Sequence, residues 1–147
     1  MPNDILLIED NPDDERLILR ALLKNRVANQ INVVRDGAEA LDYLFCSGEY
    51  ADRDIYGLPK LILLDLKLPK VDGIEVLRQI RANDRTKLIP VLILTSSREE
   101  QDLIDCYSYG ANSYIVKPID FEQFNETMGQ LGLYWLLINE NPPDWRK

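Results

Sequence analysis

Short apolar runs alternate with amphipathic stretches along the chain. DILLIE (4–9) has the pattern of a strand, and residues 13–27 follow with Leu17, Ile18, Ala21 and Leu22 on one helical face. QINVVR (30–35) is a second strand, closed by Asp36-Gly37, a turn signal, and residues 38–47 carry Ala40, Leu41 and Leu44 at helical spacing. Residues 48–59 (GEYADRDIYGLP) hold two glycines, a proline and many charges, and predict a loop. A third strand is expected at 60–66, a turn at 69–73 and a third helix at 74–81. PVLILT (90–95) predicts the fourth strand and residues 98–109 the fourth helix, stopped by Gly110. Residues 113–116 predict the fifth strand, and 119 to about 138 the fifth helix.

Strands one, three and four are apolar over four or five consecutive residues instead of alternating. Such strands are buried on both faces, so the sheet is parallel with helices on either side. Five strand–helix units predict an α/β fold: an open, doubly wound, five-stranded parallel sheet in the flavodoxin-like order 2-1-3-4-5.

Composition narrows the function. The 147 residues are 46% hydrophobic and 29% charged, enough for one domain with a real core. A net charge of −8 argues against a nucleic-acid backbone as partner, so no DNA binding is expected. The chain has no apolar run of membrane-spanning length and no basic, apolar leader, so a cytoplasmic protein is expected. Cys46 and Cys106 lie far apart and predict reduced, structural thiols. There is no histidine, which removes imidazole bases, most zinc sites and a phosphohistidine role. The available chemistry belongs to carboxylates, hydroxyls and lysine.

In an open α/β sheet, ligands bind beyond the carboxyl ends of the strands. Strand one delivers Glu9 and Asp10 there, strand three Asp65, strand four Thr95 and Ser96, and strand five Lys117 followed by Pro118. Three converging carboxylates repel one another and hold their protons unless a cation joins them. Oxygen ligands of this kind suit Mg²⁺. With the cation bound, Asp65 stays ionised and is a usable nucleophile, and Thr95 and Lys117 can bind the oxygens of a phosphoryl group on it. Each residue alone has a plain reading: an acidic pair is often a helix cap or loop solvation, with Asn11 and Asp13 as caps here, and Lys-Pro is a common turn. The full set in strand order is what points to a site.

LLIEDN (6–11), LILLDLKLPKVDG (61–73), VLILTSS (91–97) and SYIVKP (113–118), in this order, resemble the CheY-like receiver domains of two-component response regulators. The resemblance covers about residues 4–128. It implies Asp65 as phosphoacceptor, with Mg²⁺ held by Glu9, Asp10, Asp65 and the main-chain carbonyl of Lys67. It implies Thr95 as switch hydroxyl, Lys117 as phosphoryl contact and Tyr114 as aromatic switch, although a half-buried strand aromatic reads the same way. Lys67 and Ser97 take the variable positions that in this family tune phosphoryl lifetime; the plain reading of Lys67 is a solvated surface lysine. The donor implied is a sensor histidine kinase. The loop at 48–59 and the ending YWL…NPP resemble the subgroup paired with bacterial phytochrome kinases.

Residues 129–147 leave no room for an output domain, so a stand-alone receiver acting through contacts is expected, not an enzyme. On the last helix Leu133, Leu136 and Leu137 fall opposite the core stripe, which predicts either cover by the tail or a homodimer through that helix, the latter favoured. Three rival readings fit the residues less well. An aspartyl-nucleophile phosphatase usually has a second aspartate where Lys67 stands. A flavin carrier needs a phosphate loop where EDNPDD repels phosphate. A receiver-like binding module that is never phosphorylated would not need all five site residues.

Overall fold

The computed structural model describes residues 5–24, 30–117, 122–123 and 125–126. Five parallel strands, β1 (Ile5–Ile8), β2 (Ile31–Val34), β3 (Leu61–Leu64), β4 (Val91–Thr95) and β5 (Ser113–Val116), form one sheet in the order β2-β1-β3-β4-β5. The helices between them are α1 (Pro12–Lys24), α2 (Gly37–Phe45), α3 (Gly73–Ala82) and α4 (Glu100–Ser108). This is the expected doubly wound architecture and strand order.

Side chains alternate between two cores, as strand geometry requires. Leu6, Ile8, Ile62, Leu64, Val91 and Ile93 pack against Ala40 and Leu44 of α2, Val76, Leu77 and Ile80 of α3, and Cys106 of α4. Ile5, Leu7, Leu61, Leu63, Leu92 and Leu94 face Ile18, Ala21 and Leu22 of α1. Each such leucine or isoleucine, fully buried, contributes roughly 1.5–3 kcal/mol. A slip of one residue in β1 or β3 would exchange its two buried rows of side chains between the cores. The observed register pairs Ile8 with Leu64, and Leu64 with Ile93.

Three of the four helices start after a short polar side chain that caps them, Asn11, Asp36 and Asp72. Asn11 Oδ1 accepts from the N–H groups of Asp13 (2.9 Å) and Asp14 (3.2 Å), so Asn11 caps α1. The Asp36-Gly37 pair is not a turn. Asp36 caps α2 by accepting from the Glu39 N–H at 2.7 Å, and Gly37 opens the helix, where a Cβ would lie 1.8 Å from the Val71 carbonyl oxygen. The other boundaries differ from the expected ones by small amounts in either direction: β4 and α4 are shorter, α3 is one residue longer at each end, and β5 coincides.

The segment 48–59 contains a 3₁₀ turn (Gly48–Tyr50) and is tied down by Arg53. That guanidinium lies 3.7 Å from the Tyr43 ring centroid and donates to the carbonyls of Tyr43 and of Gly57 (2.7 Å). Both cysteines are free thiols. Among the described residues no helix is long and apolar enough to cross a membrane. Leu133, Leu136 and Leu137 lie outside the described residues, as does most of the segment expected to form a fifth helix.

Gly73 governs how closely α3 approaches the end of β3. A Cβ there would sit 2.3 Å from the Asp65 carbonyl oxygen and 2.5 Å from Leu66 Cα, so only glycine lets the helix start this close to the strand. Gly73→Ala is expected to lower unfolding free energy by about 1–3 kcal/mol through overpacking. Urea denaturation followed by circular dichroism measures it.

Candidate functional site: an acidic crevice at the carboxyl ends of the strands

Glu9 and Asp65 stand one position beyond fully buried strands and Lys117 one position beyond the half-buried β5, and the backbone ladder still holds each of them. Glu9 N–H donates to the Val34 carbonyl (3.0 Å), Asp65 N–H to that of Ile8 (3.0 Å) and Lys117 N–H to that of Thr95 (2.7 Å). All five parallel strands therefore take part in fixing where these side chains begin. Glu9 is 1% exposed, Asp65 6% and Lys117 8%, whereas Asp10 points to solvent. One carboxylate oxygen each from Glu9, Asp10 and Asp65 lies within 4.8 Å of the others.

Lys117 closes the floor of the crevice. Its Nζ is 2.5 Å from Glu9 Oε1, 2.9 Å from Asp14 Oδ2 and 3.4 Å from Asp65 Oδ2. The other oxygen of Glu9 accepts from the Asn11 N–H (3.2 Å), and Asp65 Oδ1 accepts from the Lys67 N–H (3.2 Å). Asp10, Asp14, Asp65, Lys67, Ser96 and Lys117 line an open space of about 420 Å³.

Burial pushes the Glu9 carboxyl up to about 7; the hydrogen bond from Lys117 opposes this, and the Asp65 charge adds to it. Burial works against the Lys117 ammonium too, but its bonds to Glu9 and Asp14 and the charge of Asp65 outweigh it, and the pKa is raised. The site thus holds more negative charge than one lysine compensates. A divalent cation fits the deficit: three carboxylates, all hard oxygen donors, with one of them driven toward neutrality by its surroundings.

The structure brings Glu9, Asp10, Asp65 and Lys117 together, with Lys67 and Ser96 at the rim. Thr95 ends β4 fully buried, its hydroxyl accepting from the Ser97 N–H at 3.2 Å. Tyr114 is half-buried, its hydroxyl donating to the Ser97 carbonyl (3.0 Å). The Ser97 side chain turns to α4, where it meets Asp102, and Ser96 lines the crevice in its place. Asp14 escaped the sequence reading. It stands in the first turn of α1 and meets Lys117 at the end of β5, a pairing between separate elements that local spacing does not signal.

The family follows from fold and site together: the chain belongs to the response regulator receiver domains, whose family model matches residues 5–128. It is 45% identical over 141 residues to a protein of Methanothrix harundinacea named "Probable methanogenesis regulatory protein FilR2", covering 96% of this chain and 88% of that one. Among solved structures it is similar to phosphorylated RcpA, a cyanobacterial phytochrome response regulator: 40% identity, TM-score 0.86, 97% of this chain and all (100%) of that one. The Mn²⁺-bound form of the response regulator Rcp1 of Synechocystis is 37% identical, with TM-score 0.85 and coverage of 97% and 100%. The bacteriophytochrome response regulator AtBRR is 52% identical, with TM-score 0.75 and coverage of 95% and 99%.

A carboxyl whose folded pKa exceeds its unfolded value stabilises the fold only while protonated. For Glu9 that contribution is complete below about pH 4.5 and lost as pH rises through about 7. Lys117→Met removes the bond that holds this pKa down, so its destabilisation is expected to be small at pH 5 and to grow toward pH 8.5. Urea midpoints of both proteins in metal-free buffer at the two pH values test this. An equal loss at both would mean that Lys117 does not compensate Glu9.

Proposed function

We propose that this chain is a phosphorylation switch in which Asp65 accepts a phosphoryl group from the phosphohistidine of a sensor histidine kinase. The observation that carries the reading is the placement of Asp65: a nearly buried carboxylate, within 4.8 Å of two others, with a lysine ammonium at 3.4 Å. Glu9, Asp10, Asp65 and the Lys67 carbonyl would hold Mg²⁺, which when bound neutralises the acidic cluster and the charge on the transferring group.

The chain's own residues do the rest. Asp65 Oδ attacks phosphorus in line as the bond from phosphorus to the histidine nitrogen breaks, and the imidazole leaves. Lys117 shifts from Asp14 and Glu9 toward the new phosphoryl oxygens, a short movement because Asp65 is already within its reach. Thr95 turns its hydroxyl to the same oxygens and gives up the Ser97 N–H. Tyr114 and α4, both tied to Ser97, respond as a population shift between two packings. Lys67 stands at the rim, where water must pass to hydrolyse the acyl phosphate. Similarity to phytochrome response regulators supports a phytochrome-type kinase as donor. The apolar pattern at Leu133, Leu136 and Leu137 supports a homodimer.

Incubation with acetyl phosphate and Mg²⁺ should add one phosphoryl mass to the intact protein, acetate being released. Asp65→Asn should add none, and chelation of the cation should cut labelling by at least tenfold. If the wild type stays unmodified while another receiver is labelled in the same tube, the reading fails. For the metal, Tm should rise on adding Mg²⁺ or Mn²⁺, more at pH 8 than at pH 6, since the cation must displace the proton that Glu9 holds below about 7.

A further inference from the structure

Every polar group of Ser97 is engaged, each with a different part of the molecule. Its N–H donates to Thr95 Oγ1 at 3.2 Å, and its carbonyl accepts from the Tyr114 hydroxyl at 3.0 Å. Its hydroxyl donates to Asp102 Oδ2 at 2.5 Å and accepts from the Glu99 N–H at 3.2 Å. Ser97 is 7% exposed, while its neighbours Ser96, Arg98 and Glu99 all face solvent. It is the one buried point in the connection between β4 and α4.

The anchors are not equal. Thr95 is held by the ladder opposite Val116, and Tyr114 by its register opposite Ile93. Both are set by the sheet whatever the connection does. Asp102 sits on the first turn of α4, four residues before Cys106, which is fully buried in the core. Its bond to Ser97 has an ionised acceptor and is roughly twice as strong as a neutral hydrogen bond. Asp102 also borders a cavity of about 210 Å³ between α4 and the segment after Asp65, shared with Leu66, Lys67 and Asp72.

We propose that Asp102 is a positioning residue of the switch: by clamping the Ser97 hydroxyl it holds the Ser97 carbonyl where it receives the Tyr114 hydroxyl. The strand-five aromatic is thereby tied to α4 through one serine, and the side chain at position 97 is kept away from Asp65. The phosphoacceptor reading supplies the purpose of this clamp, but the contact itself exists without phosphorylation and is tested without it. An ordinary helix cap would explain the Ser97–Asp102 bond equally well but not a dependence of Tyr114 on it.

The test is fluorine NMR of the unphosphorylated full chain labelled with fluorotyrosine, one resonance for each of seven tyrosines, Tyr114 being assigned with Tyr114→Phe. Asp102→Ala and Ser97→Ala should both move the Tyr114 resonance in the same direction, and the double variant no further than either alone. Asp102→Asn, which keeps an acceptor for the hydroxyl, should stay at the wild-type position. A Tyr114 resonance unmoved in Asp102→Ala, with only a lower melting temperature, overturns the proposal and leaves a plain cap. Should Asp102→Ala fail to fold, Ser97→Ala removes the same bond and decides alone. Failure of the acetyl phosphate experiment would leave this readout intact, so the two readings fail separately.

Discussion

The site depends on a hydrogen-bond ladder that outlasts its apolar strands by one residue. β1, β3 and β4 are packed on both faces, so none can slide without moving leucines and isoleucines between cores. The next backbone group after β1, β3 and the half-buried β5 still pairs, Glu9 to Val34, Asp65 to Ile8 and Lys117 to Thr95. Charged side chains therefore start from points as rigid as the core itself. A catalytic constellation needs that rigidity, since errors near half an ångström already matter. A carboxylate on a free loop would have found water instead of its neighbours.

Holding three carboxylates this close opposes stability. Glu9 is almost wholly removed from water, and the ammonium of Lys117 is divided among Glu9, Asp14 and Asp65. Such a buried group is tolerated only because a partner with good geometry stands beside it, and the net gain of the pair over an apolar replacement is small or negative. The arrangement makes sense as preparation for a visitor. A cation completes the charge balance, and a phosphoryl group offers the lysine a better partner than Asp14, the most exposed of its three carboxylates.

Around that rigid floor the structure places softer contacts. Thr95, Ser97, Tyr114 and Asp102 are joined by single hydrogen bonds, the neutral ones about 1 kcal/mol in net terms and the one to the Asp102 carboxylate about twice that. Contacts of this size can be exchanged for others by a new charge a few ångströms away, whereas the ladder beneath cannot. The division between a fixed floor and an exchangeable rim is what a two-state element requires. Gly73 sets where the two meet, because a bare backbone there brings α3 against the Asp65 turn.

Much of this was legible before any fold was seen. Unbroken apolar runs at Ile5–Ile8, Leu61–Leu64 and Val91–Leu94, short and bounded by polar and turn residues, read as strands covered on both sides, and a parallel sheet puts their ends on one edge. Asp65, Glu9, Asp10, Thr95 and Lys117 follow from those ends, because strand position and chain order are local properties. Asp36 as a cap was missed, since Asp-Gly signals a turn equally well and only the nearness of Val71 required the glycine. Asp14 and Asp102 were missed for a deeper reason. Each works on a partner from another element, Lys117 from β5 and Ser97 from the end of β4, and helical phase alone does not say which neighbour a polar side chain will meet. Periodicity along one chain determined the strands and therefore the carboxylates. Which charge shares a lysine, and which serine faces inward, were decided only when separate elements packed at ångström distances.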